Sequence, residues 1–161
     1  MVGSPFALLS RRETFRLGGA AAALAGVGTA NSYAMEDTTV PHIIVEATPK
    51  LAHLDFVALF TLMHRRIAGN GEAVLDDFKS RVYVTDHHLA GEDRQAEFIV
   101  ARLVTTNPRP KTEQRAMAQE IHDVLRMAVE KHNPSFWWQV CVLIEPFEKQ
   151  DYIKTDSKAA H

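Results

Sequence analysis

Few residues in this chain are equipped for chemistry. There is one cysteine, Cys141, so neither an internal disulfide framework nor a multi-cysteine metal site can form. It lies in the apolar run WWQVCVLIE, where a thiol reads as a small buried hydrophobe. His87 and His88 are adjacent in TDHHLAGED, and neighbours on an extended segment point opposite ways. They read as a surface turn rather than as metal ligands. His122 and His132 share one predicted helix with no third ligand in view, and read as helix-surface or interface residues. RRIAGNG (65–71) could meet an anion, yet it lacks the strand before and helix after that a phosphate loop requires. No metal is expected. What remains is carried by strand-like stretches, first among them PHIIVEA, which opens on Pro41-His42.

The elements that must hold those stretches follow from composition and periodicity. At 161 residues the chain has the length of one domain with one core, and its 46% apolar and 24% charged residues are those of an ordinary globular protein. A formal net charge of −2 gives no general pull toward nucleic acid or an anionic membrane. Residues 1–34 differ from the rest. Arg11 and Arg12 precede a weakly apolar Ala/Gly/Leu stretch that ends Ser32-Tyr33-Ala34, the order of an export signal of the twin-arginine type. Phe15 stands three places after Arg12, where the usual motif has an aromatic at two. The expectation is a bacterial periplasmic protein that meets the membrane only during export, with a cleaved leader (1–34), a short extension (35–40), a domain (41–152) and a polar tail (153–161). The leader's apolar stretch is too short and glycine-rich for a stable membrane span.

Within the domain, strands and helices alternate. PHIIVEA (41–47) is a short apolar run bounded by Pro49, hence a strand. Leu54, Val57, Ala58, Phe60, Leu62 and Ile67 recur at near-helical spacing with Asp55 in the first turn, and AGNG (68–71) stops that helix. SRVYVTD (80–86) and AEFIVARLVTT (96–106) are rich in β-branched and aromatic residues, hence strands. Thr112 is the expected N-cap of a helix over 115–132, with Met117, Ile121, Val124, Leu125 and Ala128 as its core face and Asn133-Pro134 as its stop. FWWQVCVLIEPF (136–147) is a fourth strand, expected to end at Pro146, with Trp137 and Trp138 on opposite faces. The order β-α-β-β-α-β makes each helix a crossover, and puts both helices on one face of a four-stranded sheet in an α+β fold. The other face carries apolar residues that an oligomer would bury.

PHIIVEA, FKSRVYVTD and VLIEPFEKQDY resemble the 5-carboxymethyl-2-hydroxymuconate isomerase family of the tautomerase superfamily, over roughly 41–152. NPRPKTEQRAMAQEI (107–121) resembles that superfamily's strand-to-helix junction. The resemblance implies a homotrimeric, cofactor-free keto–enol tautomerase acting on an unsaturated oxo- or hydroxy-dicarboxylic acid. It implies Pro41 as general base through a free N-terminal nitrogen, and Lys79 and Arg81 as carboxylate binders. Lys79 stands where the family typically has arginine, which keeps the charge but loses the two-pronged fork.

The chemistry is coherent. A free α-amino group titrates near about 7.7–8.0, and desolvation lowers it further, which suits moving a proton at a carbon α to a carbonyl. One obstacle stands in the sequence itself. A proline within a chain is a tertiary amide without a basic nitrogen. Cleavage after Ala34 would still leave MEDTTV ahead of Pro41. The alternative is a non-catalytic periplasmic protein of the same fold whose extension blocks the pocket.

Overall fold

The computed structural model describes residues 40–106, 109–155 and 157. The expected leader and residues 35–39 lie outside the described residues. From Val40 onward the chain forms β1 (His42–Ala47), α1 (Phe56–Gly69), β2 (Lys79–Val84), β3 (Glu97–Thr106), α2 (Lys111–Lys131) and β4 (Trp138–Phe147), with 3₁₀ turns at Pro49–Leu51, Leu75–Asp77 and Lys149–Asp151. The strands lie in the order β2-β1-β3-β4. β1 is parallel to β2 and β3 to β4, while β1 and β3 are antiparallel. Each parallel pair is bridged by its helix, as a crossover demands. The fold is therefore the α+β, β-α-β-β-α-β arrangement expected.

Strand alternation decides what each face does. Ile43, Val45 and Ala47 of β1, Ile99, Ala101 and Leu103 of β3, and Val140 of β4 pack in one core with Phe60, Met63 and Ile67 of α1 and Met117, Ile121 and Leu125 of α2. The intervening residues face away from the helices: His42, Ile44 and Glu46, then Phe98, Val100, Arg102 and Val104. Trp138 packs on the core while Trp137 stands 55% exposed, so the tandem tryptophans straddle the sheet as alternation requires. Cys141 is only partly buried, because it falls on the uncovered face opposite Val100.

Three boundaries depart from expectation. Asp55 caps α1 rather than lying within it, its carboxylate accepting from the Ala58 N–H at 3.0 Å. The second helix starts at Lys111, four residues early, with Pro110 rather than Thr112 at the cap position. Pro110, at φ −51°, sits at the start where its missing N–H costs nothing, and its carbonyl accepts from the Gln114 N–H at 3.1 Å. Thr112 is simply in the first turn. Pro146 does not end β4, which runs on to Phe147 in register with Thr106. β4 is an edge strand, where a proline can lack a donor without breaking the ladder.

The stops follow the sequence. Gly71 takes φ +76° after Asn70 closes α1, and Asn133, one of the few side chains that tolerates the left-handed region, takes φ +42° before Pro134.

Candidate active site

β1 and β2 bring the expected site residues together at one end of the sheet. The backbone N–H of Lys79 donates to the Pro41 carbonyl at 3.1 Å, and His42 then pairs with Lys79 and Ile44 with Arg81 along the ladder. Lys79 and Arg81 are separated by one residue, so they share a strand face. Ser80 fixes which face that is. Its Oγ lies 2.6 Å from Nε2 of His64 on α1, and Val82 packs on the core. Ser80 and Val82 therefore turn toward the helices, while Lys79 and Arg81 turn to the open side with His42. His64 is stacked on Phe78 at 4.6 Å, which holds the entry to β2 against α1, and burial pulls its pKa below the ordinary 6.5.

Both cations are exposed and lightly tethered. Lys79 Nζ donates to the Asp77 carbonyl at 2.9 Å, and Arg81 Nε donates to the Tyr83 hydroxyl at 3.1 Å. Among the described residues neither has a carboxylate at ion-pair distance, so both are placed to meet an anion. Pro41 itself is buried beside a fully buried Val40, and its nitrogen is part of the Val40–Pro41 peptide bond in the full chain.

Sequence reasoning missed two groups here. His42 lies within this cluster, and burial lowers its pKa below 6.5, with the charges of Arg81 and then Lys79 lowering it further. Tyr152 comes from the segment after β4. The turn Lys149–Asp151 returns the chain so that the Tyr152 ring packs on Phe147 at 5.5 Å and its hydroxyl sits 3.3 Å from His42 Nε2. The pairing of Pro41 with His42 was visible in the sequence. No local signal could show that Tyr152, 110 residues later, would meet it.

The remaining candidates resolve differently. His88 is not a surface residue: its ring turns inward, edge-on to Phe98, with Nε2 3.6 Å from the Glu97 carboxylate. Glu97 is almost fully buried. Burial would raise its pKa, but hydrogen bonds from Thr48 and Lys50 outweigh that and hold it below its ordinary value. His122 lies beside Asp123, and His132 meets His53 edge-on at 4.7 Å. Among the described residues no three His, Cys, Asp or Glu side chains gather to hold a metal. Arg102, at the centre of the open face, is held by Glu46 at 3.2 Å and Glu145 at 3.9 Å. Arg109 turns inward at the start of α2, donating to the Glu72 carbonyl, so the strand-to-helix junction serves packing.

A larger cavity of about 590 Å³ opens elsewhere, lined by Ala90, Asp93, Phe98, Val100, Trp137 and Gln139. It lies at the opposite end of the sheet, about 20 Å along β3 from the residue facing His42 at roughly 3.3 Å per residue. Its apolar walls make it a continuation of the open face rather than part of the cationic cluster.

Similar architecture is found among solved structures. A 5-carboxymethyl-2-hydroxymuconate isomerase from Deinococcus radiodurans R1 superposes with a TM-score of 0.66 at 16% identity, over 74% of this chain and 92% of its own. A 5-carboxymethyl-2-hydroxymuconate delta-isomerase gives 0.58 at 16% identity, over 75% and 89%. A fused 4-OT protein, described as a symmetric trimer, gives 0.54 at 14%, over 68% and 87%. No protein-family profile and no curated protein matches the sequence. The chain thus has the fold of the tautomerase superfamily.

Proposed function

We propose that this protein is a cofactor-free isomerase, a keto–enol tautomerase that moves a proton along an unsaturated oxo- or hydroxy-dicarboxylic acid at the Pro41 end of the sheet. One observation carries this reading. Lys79 and Arg81 stand on the open face beside Pro41, whose carbonyl is hydrogen-bonded to Lys79. Two cations with no carboxylate partner among the described residues suit a substrate with carboxylates and a transition state that gathers negative charge on a dienolate oxygen. The fold, shared with proteins named as isomerases of such an acid, supports the same reading.

In the proposed reaction Arg81 and Lys79 hold the carboxylate and steady the dienolate. Pro41, once trimming frees its nitrogen, is a secondary amine held in place by its ring and by the Lys79 hydrogen bond. Its buried setting keeps the neutral, basic form available near pH 7. The working form is proposed to be a periplasmic homotrimer that buries the open sheet face, after export through the leader.

A second reading is favoured by one specific observation. With Val40 fully buried and bonded to Pro41, the untrimmed chain presents no basic proline nitrogen. Such a chain would be a binding protein for small anions at Lys79 and Arg81. Turnover of 2-hydroxymuconate, a dienol dicarboxylate, by a chain beginning at Pro41 separates the two. The isomerase reading predicts saturable turnover that falls about 10²–10⁴-fold in Pro41→Ala. Tight binding without turnover would leave the binding protein.

A further inference from the structure

The chain carries a second group able to move protons at this site, and it needs no trimming. We propose that His42 is a catalytic residue, serving as the general base and acid for proton transfer whenever Pro41 remains in peptide linkage with Val40. The inference rests on the isomerase reading above and names the base that acts in the intact chain.

The placement follows from the ladder. His42 is directly opposite Lys79, and Arg81 lies one diagonal step away on the same face. Strands are about 4.8 Å apart, and diagonal neighbours stand about 7–8 Å apart. A carboxylate held by Arg81 therefore leaves the hydroxyl-bearing carbon and the conjugated carbons beyond it running past the His42 ring. Tyr152 closes the other side of the ring, its hydroxyl 3.3 Å from Nε2 and its own ring edge-on to the imidazole at 6.0 Å. A ring fixed between two strands and a tyrosine has little freedom to swing away.

His42 is neutral near pH 7. Partial burial is the main cause, and Arg81 and then Lys79, facing it from β2, further disfavour another positive charge nearby. Two acids share the open face, Glu46 on β1 and Glu145 on β4, and both are tied to Arg102 of β3. Neither carboxylate is left to draw a proton onto the imidazole. A free α-amino nitrogen, by contrast, has an ordinary value near about 7.7–8.0.

The step balances without a co-reactant. The neutral imidazole takes the proton from the dienol hydroxyl, the oxygen's electron pair forms the C=O bond, and the conjugated double bonds shift by one place. The carbon at the far end of the conjugated system then takes the proton from the imidazolium, which returns to neutral. Arg81 and Lys79 face the dienolate oxygen and carboxylates while the negative charge exists.

The test uses the full chain, with mass spectrometry confirming that Val40 still precedes Pro41, and 2-hydroxymuconate as the probe. Wild type is expected to turn over, with kcat/KM rising through an acid limb below pH 6.5. His42→Gln should lower kcat about 10²–10³-fold while KM changes less than about threefold. Arg81→Gln should move the acid limb upward, since it removes a charge that lowers the His42 pKa, a response that a packing role for His42 would not produce. Equal turnover and an unchanged acid limb in His42→Gln would overturn the role of His42 and leave the isomerase reading standing. No turnover by wild type, trimmed or intact, would overturn both.

Discussion

Lys79 donates its backbone N–H to the carbonyl of Pro41 at 3.1 Å, so the proline that leads into β1 and the first cation of β2 are fixed to each other by the sheet itself. The site therefore does not depend on a flexible loop. It depends on two parallel strands staying in register, and α1 sets that register by holding Ser80 through His64.

That dependence predicts a pH effect on stability. The folded-state pKa values of His42 and His64 are both depressed below 6.5. The unfolded chain therefore binds protons first, and the stability present above pH 6.5 is lost as pH falls from that value through the folded values. Urea denaturation should give a lower midpoint at pH 5.5 than at pH 7.5, with a smaller difference in His64→Phe. An unchanged midpoint in the wild type would contradict the assignment.

Glu97 anchors the loop between β2 and β3. It accepts from the Lys50 N–H at 3.2 Å and lies near Lys50 Nζ and the inward-turned His88. Glu97→Ala leaves the part-buried Lys50 N–H and the inward-turned His88 without this carboxylate and should cost about 1–3 kcal/mol in chemical denaturation. A loss under about 0.5 kcal/mol would show that water replaces the carboxylate.

The open face should be an interface between copies. Leu143 lies half-exposed in the same cross-strand row as Arg81, Ile44 and Arg102. Leu143→Asp should lower the mass seen by light scattering from that of a trimer to that of a monomer, with the far-ultraviolet circular dichroism preserved. An unchanged mass would place the interface elsewhere.

The core sets the scale of ordinary damage. Leu125 of α2 is fully buried against the sheet. Leu125→Ala should cost about 2–5 kcal/mol in thermal or chemical unfolding, without selectively changing KM in the folded fraction. A KM effect exceeding the stability effect would mean that α2 reaches the site.

Strand and helix order was legible because each element carries its own period and its own stops. The apolar run of PHIIVEA, the 3.6-residue spacing of Met117, Ile121, Val124 and Leu125, and the Asn133-Pro134 break are all local signals. Two of the three misplaced boundaries turn on prolines. Pro110 and Pro146 act through their surroundings, one starting a helix and one tolerated at a sheet edge, and edge position is a property of the whole sheet. The cations Lys79 and Arg81 were found through resemblance, while their common face became definite only when Ser80 met His64. Tyr152 and the inward turn of His88 required tertiary contacts that no spacing encodes. Arg102 was within reach, since strict alternation from Ile99, Ala101 and Leu103 puts it on the open face.

Proton movement at the cationic end of the sheet is tested most directly by kcat/KM for 2-hydroxymuconate in wild type and in Lys79→Ala/Arg81→Ala. The double variant should fold with the wild-type circular dichroism and lose about 10²-fold or more in kcat/KM, as expected when two charge-assisted contacts of about 1.5–3 kcal/mol each are removed. Equal kcat/KM in the two proteins would contradict the account.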